Sequence, residues 1–223
     1  MTEQTLLELE TPEIKTTKMS YEDYLALPDE GPLVEWVNEE VIYHMTAKPI
    51  HQEIVSFLDQ LLGIFVRFFG LGKILLAPIE VKCFPGGNSR EPDILFVTSE
   101  NLSRIDENRI NGPPDLIIEI VSNDSVARDY DDKFVEYEEC GVPEYWIVDP
   151  RPKRQRARFY QLGEGGLYEP VLPKEGVYHS KVIPGFWFKV AWLWERPDPL
   201  TTFAEIVGLS AEVFQNLRPH PPQ

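Results

Sequence analysis

The sequence predicts a mixed α/β fold of the α+β kind: a mixed central sheet flanked by helices, with extra antiparallel strands toward the C-terminus. Three observations predict it. The element patterns run helix, strands, helix, then strand–helix–strand around the segment DLIIEIV (115–121), an order that argues a sheet covered by helices. That segment is nearly continuously apolar, which suits a strand buried on both faces. The chain of 223 residues is 43% hydrophobic and 26% charged, enough for one packed domain and unlike a disordered chain.

Taken in order, residues 1–17 are acidic and polar and read as a loose arm. They lack the basic start and apolar middle of a secretory signal. The folded domain is expected over 18–196, with a C-terminal helix and tail over 197–223. Ser20 caps a short helix, with Asp23 three residues on in the manner of a capping box, and Pro28 ends it. Leu33–Val37 and Val41–Met45 read as two strands joined by a turn at Asn38, Glu39 and Glu40. Pro49 opens a long helix in which Ile50, Ile54, Phe57, Leu58, Leu61, Leu62 and Phe65 recur at the three-to-four spacing. Gly70 and Gly72 stop it. Lys73–Phe84 reads as one long strand, Pro85–Asn88 as a turn and Pro92–Val97 as the next strand. The buried strand 115–121 is followed by a polar helix from about Ala127 to Glu139, closed by Gly141. Glu144–Val148 is a further central strand. Three or four strands then end near Val190, and Leu200–Leu217 reads as a helix.

The net charge is −16 and the isoelectric point is near 4.6. Nucleic-acid affinity comes largely from basic surface and counterion release. An acidic chain would bind phosphate only through a local basic patch or bound metal ions. The stretch RPKRQRAR (151–158) concentrates Arg151, Lys153, Arg154, Arg156 and Arg158. It reads equally as a phosphate-contacting hairpin and as a solvated turn. Phe186, Trp187, Phe188, Trp192 and Trp194 could stack bases, but core packing or a dimer contact is the stronger reading for rings that bury so much area. Cys83 and Cys140 form no CxxC pair or disulfide framework. They are expected as buried, reduced small hydrophobes, which points to the cytoplasm. No apolar run of about 18 residues marks a membrane span.

Glu119 carries the most chemical information. Its neighbours Leu116, Ile117, Ile118, Ile120 and Val121 are apolar. A buried unpaired carboxylate costs several kcal/mol, so it needs a partner, either a metal ion or a buried cation. Asp93, after Pro92, opens an apolar strand. Alone it reads as a strand-start aspartate; paired with Glu119 it suggests the oxygen ligands of a hard divalent cation. Lys133 lies on the following helix with Tyr137 one turn later on the same face. Asp129, four residues before Lys133, could simply pair with it, and a solvated lysine is the default for such a position.

Blocks along 19–195 carry a resemblance: MSYEDYLALP, Glu35 in its strand, His51-Gln52 at the start of the long helix, EPDILFV, GPPDLIIEIVSNDS, DYDDKFVEYEECG and VPEYWIVDP. Together they resemble the Uma-type putative restriction endonuclease family, formerly a domain of unknown function, in the PD-(D/E)XK nuclease superfamily. The resemblance implies a restriction-endonuclease-like fold and a Mg²⁺-dependent endonuclease acting on DNA, with Mn²⁺ able to substitute and a homodimer as the working form. It implies that Asp93, Glu119 and the Ile120 backbone carbonyl hold the metal. Valine stands at 121, where the superfamily motif has lysine, and Lys133 takes that role. Glu35 adds a further acidic group, and His51 and Tyr137 are possible accessories. Lys153, Arg154, Arg156 and Arg158 are candidates for nucleic-acid contact. The alternatives are a nuclease-fold module that binds without cutting, or a nuclease acting on RNA or a small phosphodiester.

Overall fold

A computed structural model describes residues 15–28, 33–43, 46–123 and 125–210. The reading of 1–14 as an arm, the end of the strand predicted to Met45, and residues 211–217 of the predicted last helix lie outside the described residues; within them that helix stops at Ile206, short of the predicted Leu217, and the chain turns at Val207 and Gly208.

The main sheet has six strands. In spatial order they are β12 (Tyr168–Val171), β11 (Arg156–Leu162), β10 (Glu144–Asp149), β9 (Leu116–Ile120), β7 (Ile94–Thr98) and β4 (Gly72–Leu76). β9 and β10 run parallel and every other neighbouring pair runs antiparallel. The central strands are buried on both sides, which explains their near-continuous apolar runs. Successive side chains in a strand point to opposite faces. Leu116, Ile118 and Ile120 therefore join one core, and Ile117 and Val121 the other.

The first core lies under α2 (Pro49–Phe69), the short α4 (Trp192–Glu195) and α5 (Pro199–Ile206). The predicted apolar face of α2 is the buried one: Ile54, Phe57, Leu58, Leu61, Leu62 and Phe65 all lie inside. The hairpin β13 (Val177–His179) and β14 (Trp187–Lys189) seals its end. Phe186, Phe188 and Trp192 are buried there, so those rings are core rather than a stacking platform. The second core lies under α3 (Lys133–Cys140). Gly141 closes α3 in the left-handed conformation at φ 81°, which glycine adopts without a Cβ penalty.

A second sheet covers the far side of α3. Its order is β1 (Thr16–Lys18), β3 (Glu40–Tyr43), β2 (Val34–Val37), β6 (Ser89–Arg90), β5 (Glu80–Lys82) and β8 (Arg109–Asn111). Thr16 and Thr17, assigned to the arm from sequence, pair with Ile42 and Val41. The helix α1 (Tyr21–Leu25) begins with the Ser20–Asp23 cap as predicted.

Two further readings are corrected. Lys73–Phe84 is not one strand: β4 and β5 belong to different sheets, with a cis Ala77–Pro78 bond between them. Pro78 has no N–H to give a ladder, and that signal was in the sequence. Cys83 and Cys140 are not free thiols: they form a disulfide across 57 residues. Packing of α3 on the second sheet brings their Cα atoms to 5.5 Å, which no local pattern announces. The pairing removes the support that reduced cysteines gave to a cytoplasmic setting. No helix among the described residues is long and apolar enough to cross a membrane.

Closing a loop of this length stabilises a fold by about 4 kcal/mol in the chain-entropy account. Reduction with a phosphine should therefore lower the thermal midpoint by several degrees. An unchanged midpoint in reduced, alkylated protein would show that the bond contributes nothing.

Candidate active site

Register brings the two acidic residues together. β7 and β9 are antiparallel with Ile94 opposite Ile118. One step further along the same register sets Asp93 opposite Glu119, where side chains on one face stand roughly 5 Å apart. Alternation points both toward α3, since Leu95, Val97 and Ile117 on that face line the second core. Asp93 Oδ2 accepts the Ile120 amide at 2.7 Å, which locks the strand end to the neighbouring strand. Its Oδ1 lies 3.2 Å from His51 Nε2 on the first turn of α2.

Glu119 is almost fully buried, and α3 supplies its partners. Lys133 Nζ donates to Glu119 Oε1 at 2.8 Å, and the Tyr137 hydroxyl donates to the same oxygen at 2.9 Å. The one-turn spacing of these two residues explains how one helix face delivers both. Lys133 is 2% exposed, so the solvated-lysine default is overturned. Its ammonium also lies 3.1 Å from Glu35 Oε1 and 3.7 Å from Asp129 Oδ1. Glu35, fully buried on β2, takes Arg90 Nη1 at 3.1 Å on its other oxygen. Arg90 in turn is gripped by Glu136 of α3 at 2.6 and 2.7 Å. The second sheet and α3 are thus joined through charges that converge on Lys133.

Electrostatics follow burial. Desolvation pushes the Glu119 carboxyl well up, and Lys133 offsets this only in part. Burial works against the Lys133 charge, but Glu119, Glu35 and Asp129 together outweigh it and hold the ammonium above its ordinary range. Desolvation raises Asp129, against Lys133 and the Ser125 hydroxyl. Glu91 is pushed up to about 8 by desolvation, then by Glu35 and Glu80. The cluster is therefore short of positive charge.

These groups surround a cavity of about 200 Å³ lined by His51, Asp93, Glu119, Ile120, Asp129 and Lys133, with Gln52, Glu91, Ser122 and Ser125 among its other walls. Glu35 and Tyr137 are not wall residues but touch it through Lys133 and Glu119. Among the described residues, no three His, Cys, Asp or Glu are placed to cage a metal unaided. Mg²⁺ does not need such a cage; it keeps several waters and binds through one or two carboxylates. Asp93 and Glu119, in a pocket with excess negative charge, fit that demand.

Sequence reasoning missed Arg90, Glu91 and Ser125 and treated Asp129 only as a possible partner of Lys133. Arg90 and Glu91 flank the Pro-Asp pair, but nothing local says that they turn inward. The basic stretch lies next to the site rather than in it. Arg151 is held by Asp149 at 2.8 and 2.9 Å. Arg156 and Arg158 lie over the Tyr130 ring at 5.0 and 5.1 Å, and Tyr130 follows Asp129 in the chain.

Comparison with known proteins agrees with this architecture. A crystal structure of a putative nuclease belonging to DUF820 from Anabaena variabilis ATCC 29413 superposes with a TM-score of 0.64 at 19% identity. The match covers 78% of this chain and 97% of that one. A search of curated proteins returned no match. The family model described as "Uma2: Putative restriction endonuclease" matches residues 21–191, and the chain belongs to that family.

Proposed function

We propose that this protein is a Mg²⁺-dependent endonuclease that hydrolyses phosphodiester bonds of DNA. The observation that carries the reading is the Asp93–Glu119 juxtaposition across β7 and β9, with Lys133 hydrogen-bonded to Glu119 at 2.8 Å. Asp93 and Glu119 would hold the metal, with the Ile120 carbonyl as a third oxygen. When bound, Mg²⁺ supplies a Lewis acid that stabilises charge on the phosphate and activates water. Lys133 keeps its ammonium in the cavity, where it neutralises charge that develops on the phosphate. Glu35 and Tyr137 hold Lys133 and Glu119 in place, and His51 orients Asp93. Arg156 and Arg158, with Lys153 and Arg154, would position the nucleic-acid backbone beside the site. Such a patch is the local basic surface that a chain of net charge −16 would need to meet phosphate. A homodimer belongs to the same proposal and would favour cutting both strands.

The test is cleavage of supercoiled plasmid by the purified protein with Mg²⁺ or Mn²⁺, beside Glu119→Ala. Metal-dependent nicking by the wild type, lost in the variant, is the expected result. Nicking that survives in Glu119→Ala would remove the metal site from its assigned place. A wild type that cuts no DNA at low salt would favour an RNA substrate or a module that binds without cutting.

A further inference from the structure

We propose that Asp129 is a catalytic residue of this site: it holds the attacking water and takes its proton. This rests on the hydrolytic reading above.

Four observations carry it. Asp129 is 1% exposed and lines the same cavity as Asp93, Glu119 and Lys133. Its two oxygens are treated differently. Oδ2 accepts the Ser125 hydroxyl. Oδ1 has no hydrogen-bond donor among the described residues. A buried carboxylate oxygen without a donor is costly and calls for a partner that occupies the cavity.

The backbone around Asp129 is also fixed. Arg128–Asp132 forms a π-helical turn before α3, a local widening found often at functional sites. The Asp129 amide donates to the Ser125 carbonyl at 2.8 Å, and the Tyr145 hydroxyl donates to the Asp129 carbonyl at 2.9 Å. The carboxylate is therefore aimed by Ser125, by the turn and by a tyrosine from β10. A simple counterion for Lys133 would not need this. Lys133 already has two closer carboxylates, at 2.8 and 3.1 Å, and Asp129 stands off at 3.7 Å.

What fills the place beside Oδ1 follows from charge. A phosphate oxygen would meet a carboxylate and be repelled. A cation held jointly by Asp129, Asp93 and Glu119 does not suit their placement, since no three such groups among the described residues stand together as metal ligands. Water meets neither objection, and a polar cavity of about 200 Å³ has room for it. In the reaction, the water oxygen forms a bond to phosphorus and the bond from phosphorus to the leaving oxygen breaks. The water proton passes to the Asp129 carboxylate and then to solvent. The leaving oxygen takes a proton from solvent.

The experiment compares wild type with Asp129→Asn, which keeps shape and removes basicity. Three readouts are taken: single-turnover cleavage across pH, Mn²⁺ affinity by calorimetry, and the thermal midpoint. The expected result is a loss of about a hundredfold to ten-thousandfold in rate, with Mn²⁺ affinity kept and the deficit narrowing as hydroxide rises with pH. Asp129→Ala with added formate is the second arm, and formate should restore part of the rate. Cleavage by Asp129→Asn within a few-fold of wild type overturns the assignment. So does a matching loss of Mn²⁺ affinity, which would make Asp129 a metal ligand. If Asp129→Asn does not fold, the formate arm decides, and absence of rescue there overturns it. A wild type that cuts nothing overturns the hydrolytic reading itself, and this inference with it.

Discussion

Replacing Lys133 with methionine is expected to cost the fold about 3–5 kcal/mol, the range for removing one partner of a buried ion pair. The side chain is 2% exposed and stands among Glu119, Glu35 and Asp129. Methionine fills much of the volume but leaves Glu119 and Glu35 without their shared cation. Total stabilities are only about 5–15 kcal/mol, so the variant sits near the edge of folding at room temperature. Adding Glu119→Gln should recover part of the loss, because the amide removes one of the stranded charges. Coupling between such neighbours is usually about 0.5–3 kcal/mol. Urea denaturation of the two single variants and the double variant measures it. Additive losses would show that Lys133 and Glu119 do not depend on each other. On the proposed function, the same Lys133→Met protein should also lose at least about a hundredfold in cleavage, as removal of a preorganised charge does elsewhere.

The second large effect belongs to Glu144, away from the site. It is fully buried at the start of β10, and its donors are unusually many. Trp146 Nε1 donates at 2.6 Å, the Tyr178 hydroxyl at 2.8 Å and the Ser180 hydroxyl at 3.1 Å. The amides of Lys181 and Val182 add donors at 2.7 and 3.2 Å. This carboxylate anchors the segment after β13 to the main sheet. Burial still pushes its pKa up against all these donors. Glu144→Ala strands five donors, and each unsatisfied buried group costs about 1–3 kcal/mol. Local relaxation and water recover some of this, so a loss of at least about 3 kcal/mol is expected. The thermal midpoint should drop by roughly 6–12 °C for a chain of this size. Glu144→Gln keeps one acceptor and should lose less. A Glu144→Ala midpoint within about 2 °C of wild type would mean that the network holds nothing in place.

Much of the architecture was legible in the residues because it follows from local periodicity. The 3.6-residue apolar spacing of α2 and the continuous apolar runs of β7, β9 and β10 survive any arrangement of neighbours. The single acidic residue inside 115–121 was visible for the same reason: a carboxylate in a strand buried on both faces has to find a partner. Asp93 was legible as Glu119's companion, the catalytic role of Lys133 and the choice of Glu35, His51 and Tyr137 came from the family resemblance, and the fold gathers all five around Glu119. Lys133 shows the limit of local reasoning. Its helix is polar, and by composition alone it reads as solvated.

The sequence by itself determined that β7, β9 and β10 are buried strands, which face of the long helix is buried, and that Glu119 lies inside. Those properties depend on neighbours within a few residues. Only the tertiary structure decided that Lys73–Phe84 divides between two sheets, that Cys83 meets Cys140, that Arg90 and Glu35 stand behind Lys133, and that Asp129 lines the cavity with Asp93 and Glu119. Each of these depends on where α3 packs between the sheets. That packing is set by the summed burial of side chains from distant segments, and no single stretch of chain records it.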